Sequence, residues 1–265
     1  MPIFMKQSKK YDKGILLLHG FSGAPESMGP LCEKLRLAGY KVRCPHLRGH
    51  GTTLEDMRKA SWRDWLMDAS HEYDELEKDC VHVAVGGLSL GGLIALHLAS
   101  KKGADAVVAI STPIRYRLDM LAHLSSFIRF SKKIRKWPTK SKYVKSEIIG
   151  YDGFPEAKIY DLDRVNSIAR GSLRRIKCPI LTIQSKKDEL VKRVSMQMIM
   201  DSVSSKVNEG VLLENSPHAA TVGPEADFIA QRVLEFLERN LVGEKHSLLD
   251  IFKHREQKQG AVSLT

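Results

Sequence analysis

The sequence predicts a doubly wound α/β domain with a mostly parallel sheet, and three observations carry that prediction. Short apolar runs without polar alternation recur at residues 15–18, 40–44, 81–85, 106–110, 179–183 and 210–213, the pattern of strands buried on both faces. Segments of helical period separate these runs, and strands alternating with helices imply right-handed βαβ units. The alternation breaks once, over residues 113–177, which marks an insertion into an otherwise regular fold.

Taken in chain order, the run at 15–18 leads into His19-Gly20-Phe21-Ser22-Gly23. Met28, Leu31, Cys32 and Leu35 then recur at helical spacing, with Gly39 where a helix C-cap belongs. Trp62, Trp65, Leu66, Ala69 and Tyr73 mark a second helix before the run at 81–85. That run is followed by Gly86-Gly87-Leu88-Ser89-Leu90-Gly91-Gly92 and by the apolar helix at 93–99. The insertion leaves the carboxyl end of the run at 106–110, the edge where open α/β sheets bind ligands. Its spacing is helical (Leu118, Leu121, Leu124, Ile128, then Ile159, Leu162, Val165, Ile168), interrupted at Trp137-Pro138 and Gly153-Phe154-Pro155. The expected organisation is a core of residues 1–112 and 178–243, a helical cap at 113–177 and a polar tail at 244–265. Phe228, Ile229, Val233, Phe236 and Leu237 define the last helix of the core.

Composition narrows the class of function. No run approaches 18 apolar residues, so no membrane-spanning helix is expected. The apolar run near the N-terminus is too short for a signal-peptide core, which makes a cytoplasmic protein the expectation. Four cysteines at 32, 44, 80 and 178 show no Cys-x-x-Cys spacing, so buried free thiols are expected, without metal or disulfides. The net charge of +11 is concentrated: between Arg115 and Lys145 stand ten Lys or Arg against one acid, Asp119. No nucleic-acid motif accompanies that segment, which reads as a solvated face of the cap or as a contact for an anionic membrane.

The chemistry begins at Ser89. A strand, Gly-x-Ser-x-Gly and a helix in immediate succession are the context of a nucleophile elbow. The sharp turn strains the central residue, and the following helix N-terminus offers free N–H groups to an oxyanion. A nucleophilic serine requires a base, and ten histidines compete for the role. In the chain order serine, acid, histidine, only His218, His246 and His254 lie downstream of every candidate acid, and the last two fall in the charged tail. His218 is therefore the expected base. Asp188, just past the run at 179–183, is the expected acid, with Glu189 as its local rival. The oxyanion donors are expected to be the backbone N–H groups of Phe21 and Leu90, with His19 in a structural role.

With these pieces placed, residues 14–240 resemble the α/β-hydrolase superfamily, and within it the bacterial carboxylesterases close to monoacylglycerol lipases. The resemblance rests on His19-Gly20-Phe21-Ser22-Gly23, His46-Leu47-Arg48-Gly49-His50-Gly51, Gly87-Leu88-Ser89-Leu90-Gly91, Asp188 and His218. It implies a serine esterase that acts on small-molecule carboxylic esters through an acyl-enzyme and needs no cofactor. A lipid ester hydrolase and a weakly catalytic binding protein on the same fold are the competing expectations.

Overall fold

The computed structural model of the protein describes residues 10–116, 128–136, 151 and 153–241. Six parallel strands form the central sheet in the order β2-β1-β3-β4-β7-β8. They are β1 (Tyr11–Leu18), β2 (Lys41–Arg43), β3 (Cys80–Leu88), β4 (Ala106–Ile110), β7 (Ile180–Ser185) and β8 (Asn208–Leu213). Four of the six apolar runs fill central positions, and β4 and β7 are buried along their whole length. The edge strands differ. β2 is half-buried throughout and β8 is partly covered or exposed up to its buried last residue, Leu213, because each lacks a neighbour on one side. Burial on both faces was thus too strong an expectation for these two.

Helices cover both faces of the sheet. On one side α3 (Trp62–Asp79) and α4 (Leu90–Lys102) join Leu16, Leu18, Val83, Val85 and Val107 in one apolar cluster. On the other, α1 (Gly29–Leu37) and the last helix, α7 (Ala226–Asn240), close over Ile15, Leu17, Val108, Ile110, Leu181 and Ile183. Each fully buried Leu or Ile contributes roughly 1.5–3 kcal/mol relative to exposure. Two shorter helices, α2 (Leu54–Lys59) and α6 (Val194–Ser202), were not singled out by the sequence pattern.

The connection from β4 to β7 carries α5 (Lys158–Ser172), which packs on α4, and an antiparallel pair, β5 (Ile134–Lys136) with β6 (Gly153–Pro155). The pair corrects the helical expectation for this stretch: Gly153-Phe154-Pro155, taken as an interruption, is itself a strand. The helical positions Leu118, Leu121 and Leu124, like the tail from 244 onward, lie outside the described residues. Buried polar ties fasten α5 to the sheet domain and to the start of its own connection. Asp161 accepts the Trp62 N–H at 3.1 Å, Lys158 donates to Asp161 at 2.7 Å and to the Ala60 carbonyl, and Asn166 donates to the Pro113 carbonyl. Among the described residues no helix is long and apolar enough to cross a membrane. None of the four cysteines forms a disulfide; Cys32 and Cys80 are buried, whereas Cys44 and Cys178 are only half-buried, short of the expected burial.

Candidate active site

The site assembles at the carboxyl ends of the strands. β3 runs to Leu88 and α4 starts at Leu90, so Ser89 alone makes the turn, at φ 55° and ψ −113°. A non-glycine residue held at positive φ costs on the order of 1–3 kcal/mol, and the surroundings must enforce it. Here the Ser89 N–H donates to the Ile110 carbonyl at 2.9 Å, while the Ser89 carbonyl accepts from Leu93 at 3.1 Å. The glycines of the elbow are steric necessities. A Cβ on Gly91 would strike the Leu18 carbonyl, and one on Gly87 would strike the Gly91 backbone.

Two other non-glycine residues share this backbone strain, Ser22 at φ 55° and Ser111 at φ 45°. They follow β1 and β4, so three strained serines stand at the ends of three adjacent strands.

His218 lies in the loop after β8 and reaches Ser89 across the sheet edge. Its Nε2 is 2.9 Å from Ser89 Oγ, and its Nδ1 is 3.0 and 3.1 Å from the two oxygens of Asp188. An Nδ1–H donated to the carboxylate leaves Nε2 to accept the serine proton. Asp188 is 1 % exposed and its carboxylate is saturated: Oδ1 accepts the Leu190 and Val191 N–H groups, both at 2.9 Å, and Oδ2 accepts from Gln184 at 2.9 Å. Burial disfavours its charge, yet His218 and these donors outweigh burial and hold the carboxyl below the usual carboxylate range. For His218 burial likewise disfavours the cation, but Asp188 and then Glu189 overcome it and raise the imidazole above its ordinary value. Glu189, the rival acid, does not touch the ring; its Oε2 accepts the His218 backbone N–H at 2.9 Å.

The loop after β1 runs beside the serine. A Cβ built on Gly20 would lie 3.6 Å from Ser89 Cβ, ordinary van der Waals contact. His19 braces this loop: it is fully buried, its Nδ1 is 2.9 Å from the Gly20 carbonyl, and its Nε2 accepts the Leu47 N–H at 3.1 Å. Burial lowers its pKa to about 4, so it is neutral at pH 7. Leu90, the first residue of α4, has a backbone N–H without an intrahelical partner.

Three contributors were not singled out by sequence reasoning. His50 packs edge-on against Phe21, at 6.0 Å between ring centres, and against Trp65 at 5.5 Å; burial lowers its pKa to about 3. Phe154 of β6 meets Phe21 edge-to-face at 5.4 Å. Tyr151 donates to the Gly49 carbonyl at 3.1 Å and accepts the Thr52 N–H at 2.9 Å. His50 belonged to a recognised motif; Phe154 and Tyr151 carried no local signal.

A family model described as serine aminopeptidase, S33, matches residues 9–225. A thermostable monoacylglycerol lipase of Bacillus sp. (strain H-257) is 33% identical over 230 residues, 86% of this chain and 91% of that protein. A carboxylesterase of Bacillus subtilis (strain 168) is 26% identical over 230 residues, 86% of this chain and 93% of that protein. Among solved structures, a metagenome-derived lipolytic enzyme superposes with a TM-score of 0.81 at 30% identity, covering 88% of this chain and 96% of the other. A soluble variant of the Saccharomyces cerevisiae monoglyceride lipase superposes at 0.75 with 14% identity, over 90% of each chain, a likeness of fold alone.

Proposed function

We propose, for a chain that belongs to the serine aminopeptidase S33 family of hydrolases, that it is a carboxylic ester hydrolase working through an acyl-enzyme on Ser89. The observation that carries this reading is the continuous relay from Ser89 Oγ to His218 Nε2 at 2.9 Å and from His218 Nδ1 to Asp188 at 3.0 Å. In the proposed cycle Ser89 Oγ attacks the ester carbonyl and its proton passes to His218 Nε2. Asp188 holds the ring and stabilises the imidazolium, while the Phe21 and Leu90 N–H groups receive the oxyanion. Collapse of the tetrahedral adduct expels the alcohol, which leaves with the His218 proton. Water then gives a proton to the same nitrogen as it attacks the acyl-enzyme, and the second tetrahedral adduct collapses to the free acid as His218 returns that proton to the departing Ser89 Oγ.

Within this proposal residues 1–112 and 178–243 form the catalytic core and residues 113–177 a cap that shapes the ester pocket. A cytoplasmic setting belongs to the same reading, supported by four cysteines that form no disulfide. The test is hydrolysis of short p-nitrophenyl acyl esters together with labelling by a fluorophosphonate. Both should vanish in Ser89→Ala, and hydrolysis retained near the wild-type rate would overturn the assignment.

A second reading makes a monoacylglycerol the substrate. It is favoured by the resemblance to the Bacillus lipase and by Phe130 and Ile134, 78 % and 45 % exposed among Arg129, Lys132, Lys133, Arg135 and Lys136, a surface suited to an anionic membrane. Faster turnover of monoacylglycerol dispersions than of soluble short esters would select it.

A further inference from the structure

We propose that Glu189 is a positioning residue for the base, holding the His218 main chain by its N–H while placing a second negative charge beside the imidazolium that forms during turnover. The inference deepens the ester-hydrolase reading and rests on it. Consecutive carboxylates past β7 address different atoms of one histidine: Asp188 takes the ring Nδ1–H, and Glu189 Oε2 takes the backbone N–H at 2.9 Å. Neither can do the other's work, because a side chain turned toward the ring leaves the main chain unheld.

The hydrogen-bond inventory of the loop supports the assignment. Buried backbone donors in folded proteins are almost always paired. From 214 to 218 every N–H is taken by a carboxylate. Glu225, at the start of α7, accepts those of Glu214 at 3.1 Å, Asn215 at 2.9 Å and Ser216 at 2.7 Å, plus the Ser216 hydroxyl at 2.7 Å. Pro217 has no N–H, and His218 gives its own to Glu189. Glu225 therefore fixes how the loop approaches the sheet edge, and Glu189 fixes the base itself. Ser185 adds a tie to the Ser216 carbonyl, and Lys187 another to Asn215 Oδ1 at 2.9 Å. A relay that spans 2.9 Å to Ser89 on one side and 3.0 Å to Asp188 on the other tolerates little drift of the histidine backbone.

The electrostatic half follows from the same placement. The loop after β7 presents Asp188 and Glu189 to His218, and the elbow presents the neutral Ser89 hydroxyl. On the histidine's own loop Glu225 is committed to amides, and Glu214 is paired with Lys186. Glu189 is thus the second anion acting on the ring, after Asp188. Removing its charge should make the imidazolium easier to deprotonate.

The experiment compares Glu189→Ala and Glu189→Gln in the full chain, using kcat and KM on p-nitrophenyl butyrate, the pH profile of kcat/KM, thermal melting and fluorophosphonate labelling of Ser89. Glu189→Ala should lower kcat on the order of tenfold with KM changed less than twofold, as for loss of one hydrogen bond to a charged group. Glu189→Gln keeps an oxygen for the N–H and should lose less, while the acid limb of its pH profile moves to lower pH. Wild-type kcat in Glu189→Ala, an unmoved acid limb in Glu189→Gln, or an activity loss matched by loss of folded protein in the melt would each overturn the proposal. Labelling separates the two levels of inference. If Ser89 labels and the Glu189 variants behave as wild type, only the positioning role fails; if wild-type protein does not label at Ser89, the ester-hydrolase reading fails and takes this one with it.

Discussion

The carboxyl edge of the sheet and the β4–β7 connection are held by different physics. At the edge, geometry is fixed by backbone over a few residues: Ser89 and Ser111 sit at positive φ directly after their strands and Ser22 four residues past β1, and glycines give the elbow its clearance. The connection is held by side chains that reach across the chain, Tyr151 to Gly49, Asp161 to Trp62 and Phe154 to Phe21. A reaction centre that must be placed to within fractions of an ångström is built from short, strained backbone.

The largest expected effects are confined to the edge. Ser89→Ala should remove ester hydrolysis to background. Asp188→Asn should cost about 10⁴ in kcat, because an amide in place of the carboxylate favours the wrong histidine tautomer. Substrate affinity should change little in either variant. If Asp188→Asn kept most of its rate while Glu189→Gln lost about 10⁴, the division of labour between the two carboxylates would be reversed.

The same contrast explains what the sequence disclosed. The strands and the positions of Ser89, Asp188 and His218 at one sheet edge were legible because each follows a local pattern: an apolar run, a glycine pair, a loop residue at a strand end. Choosing Asp188 over Glu189 as the ring partner could not be completed from adjacent residues in one charged turn; the direction of each side chain decides it. Phe154 was hidden because a Gly-Phe-Pro triplet reads as a helix breaker, and its strand exists only through pairing with Ile134–Lys136. Tyr151 contacts a residue 102 positions away, a separation that no periodicity reports.

Breaking the attachment of the connection should register as stability before it registers as chemistry. Lys158 and Asp161 form a buried pair at 2.7 Å, with side chains 6 % and 9 % exposed. Asp161→Ala strands the Lys158 ammonium and leaves the Trp62 N–H unpartnered. Removal of one member of such a pair costs about 3–5 kcal/mol, which a urea titration would detect. A midpoint unchanged from wild type would mean that α5 does not depend on this tie.

A milder substitution tests whether the two regions communicate. Phe154→Leu preserves most of the apolar volume but removes the edge-to-face contact with Phe21, worth about 1 kcal/mol. If that contact steadies the proposed oxyanion donor, kcat should fall severalfold, by the conversion of 1.4 kcal/mol per tenfold, at nearly constant KM. A change in KM alone would restrict Phe154 to shaping the pocket.

Acid should loosen the edge while sparing the connection. His19 and His50 have pKa values lowered by burial to about 4 and about 3, whereas in the unfolded chain each titrates near 6.5. Below 6.5 the unfolded state binds protons that the folded state refuses, so stability falls with pH through the window from 6.5 toward 4. His218 acts in the opposite sense, since its raised value favours the folded state as pH drops, but it is one group against three, because burial also lowers His97 on α4. Between pH 7 and 5.5 the two depressed histidines should together cost about 2 kcal/mol, partly offset by His218. His19 and His50 sit in the loops after β1 and β2, and the described part of the β4–β7 connection contains no histidine; His97 of α4 meets it only at Ser172, the last residue of α5, with its Nδ1 3.2 Å from the Ser172 hydroxyl. Amide hydrogen exchange should therefore quicken at residues 19–23 and 46–51 on acidification, before residues 158–166, remote in sequence from the Ser172 contact of His97, respond. Uniform quickening would place the acid-sensitive step in global unfolding, and protection that rises toward pH 5.5 would reverse the sign argued from the two buried rings.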